Sequence, residues 1–236
     1  MQYLVVGSGR VALHFEFYLS HVGLNVRTWN RSKGEENLRE LAASASHILL
    51  LIKDGAIKDF YETFRSLFVG KTLVHFSGSL SIPSVGCTHP LMTFGDQLYD
   101  PEFYPRISFV CTGADFSQVF PDLANPHYSL EPEQKAFYHS LCVLGGNFPM
   151  ILWKKFFDGL EDLHIPTEAA HVYLQRILHN FLADRSGSLT GPLARKDFGT
   201  IVTNLKALQG DPFEKIYRDF AEVSLPDFKK EWHEHT

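Results

Sequence analysis

The chain has 236 residues, with 44% hydrophobic and 21% charged side chains, enough to bury one large core or two modest ones and too apolar for a wholly disordered protein. Its 22 Lys+Arg against 27 Asp+Glu give a net charge of −5 and no basic run, which excludes nucleic acid as a partner. No uninterrupted apolar stretch of about 18 residues and no leader pattern is present, and the three cysteines, Cys87, Cys111 and Cys142, stand apart among apolar or small neighbours. These features predict a cytoplasmic protein with reduced thiols and no membrane contact.

The chain opens with "QYLVV", a buried strand, followed by "GSGRVA" and a helix with Val11, Phe15, Tyr18 and Leu19 at helical spacing, stopped at Gly23. "LNVRTW" is the second strand and "EENLRELAASA" the second helix. "HILLLI", unbroken in its apolar character, fits a strand covered on both faces. Asp54 is placed to cap the next helix, "KTLVHF" supplies another strand ending in "SGS", and "ISFVC" a later one beyond the loop "THPLMTFGDQLYDPEFYP". Past residue 130 the pattern becomes helical: from Pro132 to about Gly159 with a bend at Gly145, Gly146 and Pro149; from Pro166 to Asp184 with an apolar stripe of Ala170, Leu174, Ile177, Leu178 and Phe181; and from Phe198 to Leu208. The last helix starts with Asp211 as cap, Pro212 in first place and Glu214 reaching back, and gathers Phe213, Ile216, Tyr217 and Phe220 on one face. The expected fold is therefore α/β, a Rossmann-like doubly wound parallel sheet over 1–130 followed by a smaller all-α domain over 131–236.

Two glycines one residue apart ask for more than a turn. Gly7, Gly9 and Ala12 form GxGxxA, in which the first glycine permits the turn and the second leaves room for a pyrophosphate against backbone N–H groups at the helix start. Ser8, Arg10 and Val11 share this contact. At the end of the second strand, Asn30, Arg31, Ser32 and Lys33 stand where an NAD-type site has an acidic residue. A guanidinium at Arg31 attracts a 2′-phosphate that a carboxylate would repel, and Asn30 and Ser32 add neutral donors, so the pattern points to NADP(H).

By position, the residues leaving the third and fourth strands, Lys53, Asp54, Ser77, Gly78 and Ser79, are candidates to line a ligand, Asp54 serving equally well as a plain helix cap. His89, before Pro90 and in neither helix nor buried strand, is a proton donor to a carbonyl oxygen or imine nitrogen, or else a hydrogen-bonded loop residue; Thr93 assists it. Lys135 and His139, four apart, share a helix face, either at the site or as solvated and interface residues. Arg195 clamps a substrate carboxylate, or pairs with a capping Asp197. "WHEHT" holds two histidines without a further ligand at metal spacing, so no metal is assigned.

The segments "VVGSGRVA", "WNRS", "HFSGSL", "THPLMTF" and "LTGPLARKD" together resemble a two-domain family in which a Rossmann-like NADP-binding domain precedes a helical domain of unknown function. That family is similar to pyrroline-carboxylate reductases and, more distantly, to ketopantoate reductases and 3-hydroxyacid dehydrogenases. The resemblance implies an NADP-type cofactor and a homodimer formed through the helical domain. It also implies a proton-donating lysine early in the first helix of that domain, to which Lys135 corresponds. The customary lysine-to-asparagine spacing is absent, with His139 in its place and Asn147 further along on a flanking face. The expected activity is NADP(H)-dependent transfer of hydride to a small carbonyl or imine compound, with carboxylate-bearing compounds among the candidates. Two alternatives accompany it: a non-catalytic NADP(H)-binding sensor, and a reductase that uses a deazaflavin.

Overall fold

A computed structural model describes residues 1–228 and Trp232. The predicted His233 and His235 pair lies outside these residues. The chain divides into two compact units, 1–152 and 153–236.

The first unit holds a seven-stranded sheet in the order β2-β1-β3-β4-β5-β6-β7. Its strands are β1 (Gln2–Val6), β2 (Asn25–Trp29), β3 (His47–Leu50), β4 (Thr72–His75), β5 (Gly86–Pro90), β6 (Phe109–Thr112) and β7 (His127–Ser129). Strands β1 to β5 are parallel, while β5 and β6 pair antiparallel, so the sheet is mostly rather than wholly parallel. Its first three helices are α1 (Arg10–His21), α2 (Gly34–Ser44) and α3 (Asp54–Phe64). The chain passes from β1 to β2 on one side and to β3 on the other, which sets a topological switch point at the end of β1.

The two faces of this sheet bury separate clusters. Tyr3, Val5, Leu49, Val74 and Phe109 meet Phe15 and Leu19 of α1, while Leu4, Val6, Ile48 and Leu50 meet Leu38 of α2 and Ile57 of α3. All four residues of β3 are buried, as the unbroken run "HILLLI" predicts. Of the predicted α1 stripe, Val11 is only half-buried and His14 takes an inward place instead, bonded through Nδ1 to the Tyr104 hydroxyl at 2.8 Å and through Nε2 to the Gly95 carbonyl at 3.1 Å. This pins the long segment between β5 and β6 to the sheet, and Tyr104 is fully buried in it.

The sequence pattern misses β7, whose three residues are all exposed, and short α4 (Phe116–Val119). A strand with neither face covered leaves no apolar periodicity to read. The first unit continues past residue 130 through α5 (Lys135–Cys142) and a π-helical turn, Val143–Asn147, into α6 (Phe148–Asp162). The predicted bend at Gly145 and Gly146 falls in that turn. The division falls at 152, so α5 lies in the first unit.

The second unit contains α7 (Thr167–Ala183), α8 (Gly191–Arg195), α9 (Phe198–Ala207) and α10 (Phe213–Ser224). Its core gathers Ile201 and Leu205 of α9, Ala221 of α10, and Leu225 and Phe228. Asp197 caps α9 by accepting from the Thr200 N–H at 3.1 Å and from its hydroxyl at 2.7 Å. Asp211 accepts from the Phe213 N–H at 2.8 Å, as expected of a cap. Glu214, by contrast, does not reach back: it pairs forward with Arg218 at 3.0 Å, one helical turn on. The predicted stripe of α7 is not a core face, because only Ala170 is buried and Ile177, Leu178 and Phe181 are exposed.

Candidate functional site

The end of β1 explains its glycines differently. Gly7 has φ +143, a conformation that strains L side chains, and a Cβ there would collide with the Leu51 carbonyl; its N–H donates to the Trp29 carbonyl at 2.8 Å. The protein alone therefore requires Gly7. Gly9 has ordinary extended backbone, and a Cβ added to it would meet nothing within 4 Å. Open space lies in front of Gly9, at the start of α1, where no side chain caps the first-turn N–H groups. Ala12, 2% exposed, packs into the core as the third position of the motif demands. Ser8 and Arg10 flank the opening as exposed residues, and Arg10 is engaged with Asp96, Nε to Oδ1 at 2.6 Å.

At the end of β2, Trp29 is buried and its indole N–H donates to the Gly34 carbonyl at 2.8 Å, which fixes the strand exit. Asn30 Oδ1 accepts from the Ser32 N–H at 3.0 Å and from the Ser32 hydroxyl at 2.6 Å, and Lys33 Nζ donates to the Thr28 carbonyl at 2.6 Å. Three of the four expected donors thus build the turn. Among the described residues Arg31 makes no ion pair or hydrogen bond through its side chain and is exposed. These features, a backbone cradle open at Gly9 and one uncommitted guanidinium with no carboxylate on the β2 end, fit a dinucleotide bearing a 2′-phosphate.

Further along the same sheet edge, Ser77 departs from expectation. Its hydroxyl donates to Asp54 Oδ2 at 2.6 Å and accepts from the Leu80 N–H at 3.0 Å, so its polar atoms tie the β3 and β4 exits together and none faces a ligand. Asp54, correspondingly, is the first residue of α3 and forms no cap; Lys53 holds the cap position and is exposed.

His89 is not a loop residue. It lies on β5, in a register that puts His75 opposite Cys87 and so carries His89 to the level of Ser77. Lys135, Tyr138, His139 and Cys142 stand at i, i+3, i+4 and i+7 on α5, one face of a helix. From that face Tyr138 bonds through its hydroxyl to His89 Nδ1 at 2.8 Å, and the His139 ring stands 6.0 Å from the His89 ring, edge to face. Both imidazoles close on Gly78: an added Cβ there would clash with His139 and come within 2.9 Å of His89 Nε2. Gly78 is thus a glycine because two histidines occupy its side-chain space.

Burial lowers the His89 pKa to about 4, assisted by the charges of His139 and Lys135 and opposed by Asp54, so the ring is neutral at physiological pH. Burial raises the Tyr138 pKa above its ordinary value, with Cys142 adding to the shift, and its hydroxyl stays protonated. Lys135 does not reach this cluster as a donor: it is 2% exposed and its Nζ donates to the Leu80 carbonyl. The tight fit of α5 on the segment after Gly78 turns that side chain inward.

Thr93 is exposed and its carbonyl accepts from the Tyr99 hydroxyl at 2.6 Å. Asn147 is exposed in the π-helical turn, and Arg195 closes α8 in the second unit. Sequence reasoning missed Tyr138, although its spacing from Lys135 and Cys142 was available; what it lacked was the β5 register that brings His89 beneath it. Among the described residues no group of three or more His, Cys, Asp or Glu side chains could hold a metal ion.

Residues 114–223 match the family model described as a domain of unknown function, DUF2520. No curated protein matches the chain. Among solved structures, a Bacteroides fragilis protein described as an NADP oxidoreductase is similar with a TM-score of 0.74 at 21% identity, over 94% of this chain and 97% of that one. A Thermotoga maritima protein gives 0.67 at 20% identity, over 97% and 99%. Pyrroline carboxylate reductase of Plasmodium falciparum, solved with NADP bound, gives 0.60 at 12% identity, over 100% and 98%. The fold is shared across these chains nearly end to end. The resemblance to a two-domain family, a Rossmann-like domain followed by a helical one of unknown function, is borne out by both comparisons.

Proposed function

We propose that this chain is an NADP(H)-dependent oxidoreductase that reduces a small carbonyl or imine compound. The observation that carries the reading is the convergence of His89, His139 and Tyr138 over Gly78, on the sheet edge that also holds the open Gly9 turn. The similar structures whose titles name NADP support it, among them an imine reductase of Myxococcus stipitatus and a reductive aminase of Aspergillus terreus.

The backbone N–H groups at the start of α1 receive the pyrophosphate, and Arg31 receives the 2′-phosphate and lies against adenine. NADPH, when bound, supplies the hydride. Tyr138, a protonated phenol, donates to His89 Nδ1 and thereby sets the imidazole hydrogen on Nε2, the atom beside Gly78. That N–H holds the carbonyl oxygen or imine nitrogen in place. His139 delivers the proton to that atom as the neighbouring carbon is reduced, while burial keeps His89 neutral with smaller contributions from the charges of His139 and Lys135.

The helical unit serves dimerisation. Exposed apolar side chains along α6 and α7, including Ile151, Trp153, Tyr173, Leu178 and Phe181, favour a homodimer through these helices. Among the described residues no helix is long and apolar enough to cross a membrane, and the three unpaired cysteines fit a reducing, cytoplasmic setting.

NADPH oxidation against a panel of oxo acids and cyclic imines tests the reading. His139→Ala should lower kcat by about 10²–10⁴ on any substrate found, with KM for NADPH unchanged. Full turnover in both His139→Ala and His89→Ala would reject the assignment.

A further inference from the structure

A second feature of the first unit lies beneath α5, on the face of the sheet away from α1. The register Val6, Leu50, His75, Cys87, Thr112 runs across five strands, and the last three of these side chains line a cavity of about 80 Å³ closed by Lys135. A single water needs about 10–15 Å³, so the cavity has room for a group of several atoms.

Two of the polar side chains that line it have an unpartnered buried atom, and a third is a buried ammonium. His75, fully buried, accepts the Ser77 N–H at its Nδ1, 3.2 Å away, so the hydrogen of the neutral ring sits on Nε2. Nε2 has no partner, and neither does the hydroxyl of Thr112, itself 6% exposed. Lys135, 2% exposed, has three N–H groups; it donates to the Leu80 carbonyl and is hydrogen-bonded to the Cys87 side chain, which leaves its positive charge without a carboxylate. Among the described residues it makes no ion pair. The Cys87 thiol beside it cannot neutralise it, because burial raises that pKa above the ordinary value and the S–H donates to the Ser77 carbonyl at 3.3 Å. The Asp54 carboxylate receives the Ser77 hydroxyl instead. A buried ammonium without a counter-charge is costly, and two buried donors without acceptors add to that cost.

We propose that this cavity binds a small monovalent oxyanion, a carboxylate or an inorganic anion of like shape, held by Lys135 Nζ, His75 Nε2 and Thr112 Oγ1. The site lies beside the Gly78 cluster and shares the Lys135 side of α5 with it, but it does not depend on the redox reading. A planar anion with oxygens in two or three directions satisfies all three donors at once and supplies the missing charge.

Thermal unfolding of the full chain, titrated with sodium formate, acetate or nitrate at ionic strength held with bulky gluconate, tests this. Each small anion should raise the midpoint saturably. Tighter binding of formate and acetate identifies a carboxylate ligand, whereas tighter binding of nitrate identifies an inorganic one. Thr112→Val, close in volume and without the donor, should raise the apparent Kd about ten-fold, and Lys135→Met should abolish saturation. A crystal soaked in bromide should show an anomalous peak between Lys135 and Thr112. Equal response to all salts, an unchanged Kd in Thr112→Val, or water alone at that position would overturn the proposal; the near-isosteric variant and the soak decide the matter even where Lys135→Met does not fold.

Discussion

The sheet unit and the helical unit distribute their apolar residues in opposite ways. In the first, β3 is buried along its whole length and both faces of the sheet close on separate clusters, so the unit contains its own core. In the second, α7 runs for 17 residues and buries only Ala170, while its larger apolar residues are exposed. A regular amphipathic pattern therefore predicts that a face will be covered, without predicting by what. The contrast teaches that the first unit covers its apolar faces within the chain, whereas α7 of the second leaves its larger apolar residues uncovered.

The sharpest way to break this contrast starts inside the first unit. Gly7→Val meets both a strained φ and the Leu51 carbonyl and should cost about 3 kcal/mol or more, read as a large fall in the urea midpoint. Gly9→Ala, in open space, should leave that midpoint unchanged and weaken NADPH binding, since its freedom serves a ligand rather than the fold. The helical unit should respond in the reverse sense. Ile177→Glu with Phe181→Glu places charge on the uncovered α7 face, and sedimentation should show the dimer Kd raised about 100-fold with the first unit's thermal transition retained. If the double variant remained dimeric, α7 would not be the interface.

On the proposed role of Arg31, Arg31→Glu should weaken NADPH binding about 100-fold and NADH binding much less, because only the former carries the 2′-phosphate. Calorimetric titration of both nucleotides checks it. Acid should then act on the first unit through its buried rings. His75 and His89 have folded pKa values of about 3 and about 4, below the unfolded value of roughly 6.5. The unfolded chain binds the extra protons, so stability is complete above roughly pH 6.5 and falls as the pH drops toward 4 and then 3, by on the order of a few kcal/mol. His89→Asn should flatten the upper part of that profile. An unchanged profile would mean that the ring is not held neutral in the folded state.

Much of the first unit was legible because its elements are local. GxGxxA, "HILLLI" and the "NRSK" turn each act over a handful of neighbours, and the structure places the strand, the turn and the helix where those residues predict them. The candidate site was legible only in pieces. His89 and His139 were visible as titratable side chains, but Tyr138 was not, nor were the partners within the fold that Ser77 and Lys135 take. Ser77 reaches Asp54 across 23 positions and Lys135 reaches Leu80 across 55, and no local pattern encodes partners so distant.

The amino-acid sequence alone determined the alternation of strand and helix, the need for a turn at Gly7 and the absence of an acid at the end of β2, since each follows from steric and charge rules within a few residues. Which side chains meet was decided by the tertiary structure. Pairing β5 beside β4 and reversing β6 against it set His75, Cys87 and Thr112 in one row and lifted His89 to α5, because strand register fixes the face and height of every side chain at once.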